Sequence, residues 1–132
     1  MIRKEDALNL VQELNDVIDG IEKYHLLDRI ADYIMQDNSP IDVLVRRRAS
    51  EGYYDAEEST DYIWSLAGTY IHGIPETNPH ARSFALISGN RAQWKPKLMR
   101  IVVGRLESLG YSVALKQVSP NSEYIRISWQ VE

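Results

Sequence analysis

Four basic side chains lie within ten residues in the C-terminal half of the chain: Arg91, Lys95, Lys97 and Arg100. Such a cluster could hold a polyanion, because arginine can bond guanine through two hydrogen bonds at once and lysine supplies charge to phosphate. Trp94 stands among them and could stack on a base, although a tryptophan at a helix start more often anchors that helix on the core. The pattern predicts a polyanion-binding surface.

The distribution of charge along the chain favours the same interpretation. Residues 79–132 carry eight Lys/Arg and three acids, whereas residues 1–78 carry seven Lys/Arg and sixteen acids. A basic end on an acidic body indicates an anionic partner for that end. Lys116 and Arg126 would add two further cations to the predicted surface.

No catalytic or metal-binding signature is recognisable in the sequence. His25, His72 and His80 are not at the spacing of helix-borne metal ligands, and there is no cysteine. No glycine loop of the phosphate-cradling type is present. We therefore expect a protein that is not an enzyme and that uses neither a cofactor nor a metal.

Size and composition predict a globular cytoplasmic protein. The chain has 132 residues, of which 44% are hydrophobic and 26% charged, so it can bury a core and does not read as disordered. No apolar run approaches the roughly 20 residues of a membrane span. The absence of cysteine fits a reducing compartment.

Apolar periodicity predicts two amphipathic helices at the N-terminal end. The first covers residues 4–19 with a break at Gly20, and the second ends near Gln36. Together they offer more apolar stripe than a small C-terminal unit needs. We therefore predict an oligomer, most simply a homodimer, assembled through this part of the chain.

A third helix should complete an α-helical N-terminal part, residues 1–52. Ser39 is a good N-cap, and the proline after it suits the first helical position of a helix over residues 41–49. The next helix should begin near Asp55, with Glu58 closing a capping box.

The remaining chain predicts two helices and a hairpin. A short helix fits residues 79–88, with a strand over 83–88 as the competing interpretation. The next helix should cover 96–109, with Pro96 in its first turn. A period of two then indicates an antiparallel hairpin over 111–131. The fold class is α+β, mostly α.

The alternation in the second hairpin strand also predicts which side chains face the core. Ile127 and Trp129 should lie on the buried face, with Arg126 and Ser128 outward.

The order helix, helix, hairpin over residues 55–132 resembles the winged helix-turn-helix family. The phrase Trp94-Lys95-Pro96-Lys97, followed by Arg105-Leu106-Glu107-Ser108-Leu109-Gly110-Tyr111, is similar to such domains in phage and plasmid replication proteins. The resemblance implies that helix 96–109 enters the major groove, with Lys97 and Arg100 near the bases. The connection over residues 89–95 is longer than the usual turn of the motif.

The sequence is compatible with three functions. The leading one is a small DNA-binding protein, possibly derived from a phage. The second is a phage-type inhibitor or adaptor that contacts a host protein through its acidic helical surface. The third is a binder of an anionic nucleotide that uses Arg91, Trp94 and Arg100.

Overall fold

The computed structural model describes residues 1–130, which form six helices and a three-stranded sheet. The fold is therefore α+β and mostly α, as predicted. The elements in chain order are α1 (Lys4–Lys23), α2 (Leu26–Ile34), α3 (Pro40–Ser50), β1 (Asp55–Ser59), α4 (Thr60–His72), α5 (Ala81–Gly89), α6 (Arg91–Ser108), β2 (Ser112–Ser119) and β3 (Ser122–Ser128).

The sheet is antiparallel, with β3 at its centre in the order β1-β3-β2. Ala56, Ile125 and Ile127 are buried on its inner face. The predicted hairpin is confirmed, with Val113 opposite Ile127 in the register of β2 and β3. The inner face of the sheet closes one side of the hydrophobic core.

Strand β1 corrects the prediction of a helix beginning at Asp55. The segment instead pairs with the free edge of β3, and Ala56 fills a core position against it. The helix starts five residues later at Thr60. Ser59 caps it by accepting a hydrogen bond from the backbone N–H of Asp61 at 3.2 Å.

The N-terminal helices agree with the sequence except at Gly20. Helix α1 runs through this glycine to Lys23 and ends where His25 adopts a left-handed backbone conformation with φ of 52°. The predicted break at Gly20 is therefore wrong. The predicted cap of α3 is confirmed, since Ser39 accepts from the N–H of Asp42 at 3.3 Å.

Asn90 alone joins α5 to α6. Residues 81–89 are helical, so the competing strand is wrong, and the long connection predicted over residues 89–95 is wrong as well. Helix α6 begins at Arg91 and contains Pro96 in its interior. The carbonyl of Ala92 therefore loses its helical donor, but both residues are exposed, so water can replace that bond.

One hydrophobic core includes residues from both halves of the chain. Ile30 of α2 and Val102 of α6 belong to the same buried cluster. Ile127 is buried as predicted and Arg126 is not. Trp129 lies beyond the end of β3 and is only half-buried, with its ring edge-on to Tyr111 at 6.3 Å between centroids. Val131 of the predicted hairpin lies outside the described residues.

Within residues 1–130, no helix combines the length and the apolar character needed to cross a membrane.

Candidate polyanion-binding surface

Helix α6 buries one face and exposes the other. Leu98 and Val102 are completely buried, and the spacing of 3.6 residues per turn places Lys97 and Arg100 on the opposite, exposed side. Neither cation contacts a carboxylate within residues 1–130. These two are therefore the predicted site residues that remain available to an anionic partner.

Arg91 and Lys95 are already paired. Both contact the carboxylate of Asp61 in the first turn of α4, with the Lys95 Nζ at 2.6 Å from Asp61 Oδ1. The hydrogen bond from Lys95 holds the pKa of Asp61 below its ordinary value, and Arg91 adds to the effect. The two cations and one anion leave a single net positive charge at this position.

Lys116 and Arg126 are paired on the outer face of the sheet, away from the core. Lys116 Nζ lies 3.2 Å from Glu57 Oε1, and Arg126 Nη2 lies 2.8 Å from Asp55 Oδ2. The hydrogen bond from Arg126 lowers the pKa of Asp55, and Arg48 assists it from α3. Strand β1, which sequence analysis missed, thus supplies both partners.

The six predicted cations therefore differ in their ionic partners. They divide into the pair bound to Asp61, the exposed pair on α6 and the pair bound to β1. The partners lie 30 or more residues away in sequence. For that reason local spacing alone could not identify them.

Trp94 is not a stacking residue in this structure, and that hypothesis is wrong. Its side chain is 1% exposed within the core, and its indole N–H has no hydrogen-bond partner within the described residues. The Lys97 ammonium lies 4.8 Å from the centre of the ring. The tryptophan thus anchors α6 on the core, and its ring makes a cation–π contact with Lys97.

A cleft of about 760 Å³ separates the first half of α6 from the turn of the β2–β3 hairpin. Arg100 lines it together with the salt-bridged Arg91 and Lys95. The hairpin contributes the amides of Gln117 in β2 and Asn121 in the turn, together with the carboxylate of Glu123, none of which the sequence analysis singled out. Cations and amides on opposite walls could bind a phosphate-bearing chain or molecule.

The side chain of Lys97 faces the other side of α6. It lines a smaller depression of about 220 Å³ with residues of α1 and α2, including Glu22 and Asp28. Lys97 and Arg100 therefore flank the exposed ridge of α6. Within residues 1–130, no group of three His, Cys, Asp or Glu side chains could hold a metal ion.

Comparison of the chain with protein-family models, with curated proteins and with solved structures gave no match.

Proposed function

We propose that the protein binds nucleic acid, most specifically duplex DNA, through the exposed ridge of α6. The observation that carries this proposal is the pair Lys97 and Arg100, exposed near the middle of the helix and without a carboxylate partner within residues 1–130. An α-helix fits the major groove of B-DNA, where arginine can bind guanine through two hydrogen bonds. Arg100 would read a base and Lys97 would contact phosphate.

The arrangement of the elements supports the proposal. Two consecutive helices, α5 and α6, precede an antiparallel hairpin, which is the order that the winged helix-turn-helix resemblance implies. Asn90 alone forms the connection, so the turn is shorter than the roughly three or four residues typical of the motif. The cleft beside Arg100 would leave room for a DNA strand between α6 and the hairpin.

A binding titration tests the proposal. Fluorescence anisotropy with labelled duplex and single-stranded DNA, at two salt concentrations, should give salt-sensitive binding to the duplex. The Lys97→Ala/Arg100→Ala variant should lose most of this affinity. Arg29→Ala/Arg47→Ala is the matched control, because it removes two exposed cations from α2 and α3. Absence of binding at low salt, or equal loss in both variants, would contradict the proposal.

An anionic nucleotide in the cleft is the second candidate. Its support is that Arg91, Lys95 and Arg100 all line one cavity, whereas Trp94 is buried and contributes no stacking. A thermal shift with nucleoside triphosphates, absent with the nucleosides, would favour it over DNA binding. The protein-inhibitor hypothesis stays a prediction and becomes the better one if both assays are negative.

A further inference from the structure

Most of α1 lies outside the core. Every residue from Lys4 to Asp16 is exposed, and the first buried side chain of the helix is Ile21. The exposed stretch carries large apolar side chains at about half of their full exposure: Leu8, Leu10, Val11 and Leu14. An isolated helix of this length is marginal in water, so a further contact would stabilise it.

The apolar stripe of α1 has two sides. Leu10, Leu14 and Val17 line a groove of about 390 Å³ against α5. Ala7 and Val11 continue the stripe outside that groove. The side without α5 is therefore the one on which another helix can pack.

Two charges beside this outer side, one positive and one negative, would face each other if two copies of α1 packed antiparallel. At 100° per residue, Lys4 projects about 20° and Asp19 about 80° from Val11, both on the side away from the groove. They are 15 residues apart, about 22 Å along the axis, so they cannot pair within one helix. Their midpoint falls at Val11 and Gln12. Neither has an ionic partner within residues 1–130.

We propose that a second copy of this chain covers α1, with the two α1 helices packed antiparallel and crossing near Val11. In this arrangement Lys4 lies against the partner's Asp19, and the two-fold axis repeats the contact. A parallel pair would instead place the two Lys4 side chains together. The inference goes beyond DNA binding and does not depend on it.

Sedimentation of the full chain at tens of micromolar tests whether the stripe is the interface. The parent should be a dimer, and Val11→Asp should be a monomer that still unfolds cooperatively in urea. Asn9→Asp is the matched control, since it adds the same charge on the opposite face of α1 and should leave the dimer intact. A monomeric parent, or a dimeric Val11→Asp, would overturn the proposal.

A charge exchange tests the antiparallel orientation. Lys4→Glu and Asp19→Lys should each raise the dimer dissociation constant about five- to tenfold, because exposed ion pairs contribute little individually and this dimer has two. The double variant should recover most of the parent affinity. Because the two positions are too far apart to interact within one helix, recovery reports an intermolecular pair. Additive losses in the double variant would overturn the orientation, as would capture of a different protein by a chain that stays monomeric.

Discussion

Helices α1 and α6 are both long, with 20 and 18 residues, but the core uses them differently. Helix α6 buries five side chains, among them Trp94, Leu98 and Val102, whereas α1 buries only Ile21. The difference lies in what surrounds each helix. The main contacts of α6 are with helices α2 and α5 and strand β2, whereas those of α1 are with α2 and α5. An amphipathic pattern thus identifies an apolar face but not how much of it the chain covers.

Removing one large side chain from each helix should show the difference most clearly. Trp94→Ala should lower the free energy of unfolding by about 3–5 kcal/mol, because it empties a fully buried site. Val11→Ala in α1, measured at a concentration where the chain is monomeric, should change it by less than about 0.5 kcal/mol. Urea unfolding followed by circular dichroism measures both. Similar losses in the two variants would mean that α1 is as well packed as α6.

The exposed faces of the two helices should differ in DNA binding. Arg100→Ala should weaken DNA binding by about 1–3 kcal/mol and relax specificity at one base pair. Lys97→Ala should weaken binding to all DNA sequences alike and lower the slope of affinity against salt concentration by about one unit. Lys23→Ala in α1 should have no effect. The measurement is anisotropy with a set of duplexes over a range of salt. A loss in the Lys23 variant equal to that in the Arg100 variant would place binding elsewhere.

Arg105 fixes the second half of α6 to α2. Its guanidinium contacts the carboxylates of Asp28 and Asp32, and it donates to the backbone carbonyl of Asp28 at 3.2 Å. Because the group is partly exposed, Arg105→Ala should lower the free energy of unfolding by only about 1 kcal/mol. Arg29→Ala, which removes an exposed cation of α2 from outside this contact, is the control and should be neutral in the same urea titration.

Asp61 restrains the two cations at the start of α6. Asp61→Asn should therefore release Arg91 and Lys95 and raise the affinity for DNA a few-fold, with a salt slope steeper by about one unit or more. Asp37→Asn makes the same change of charge at an exposed site away from α6 and serves as control. An affinity unchanged in the Asp61 variant, or raised equally in the control, would show that the pair does not face the DNA.

Acidic pH should weaken the same contacts. The pKa values of Asp55 and Asp61 are lowered by Arg126 and Lys95 from an ordinary value of 3.8. Their stabilising contribution is therefore complete above that value and is lost as the pH falls below it through the folded-state pKa. The melting temperature should therefore decline as the pH falls below 3.8. Asp55→Asn should reduce the decline, and a parent curve identical to that of the variant would contradict the pairing.

Local patterns in the sequence predicted most of the helices and the hairpin. The change of period after Gly110 correctly separated α6 from β2, and Ser39 correctly marked the start of α3. Strand β1 could not be found in this way, because Asp55–Ser59 contains no β-branched or aromatic residue. It is a strand because β3, far away in the chain, presents an unpaired edge to it.

The candidate site was predictable only in part. Helical spacing correctly predicted that Lys97 and Arg100 are exposed, since the face of a helix on which a residue lies depends on local sequence alone. The pairing of Arg91 with Asp61, and of Arg126 with Asp55, depends on tertiary packing and was missed. Pro96 predicts a helix start, because proline is more common in the first turn than inside a helix, but it lies inside α6.

The position of β3 in the sheet has a consequence for how the chain is made. Strands β1 and β2 both pair with β3 and not with each other, and β3 ends only two residues before the last described one. During synthesis, more than 60 further residues must therefore be added after β1 before its pairing partner β3 is available. A chain truncated before Ser122 would lose every strand pairing at once, leaving two separate edges open to aggregation.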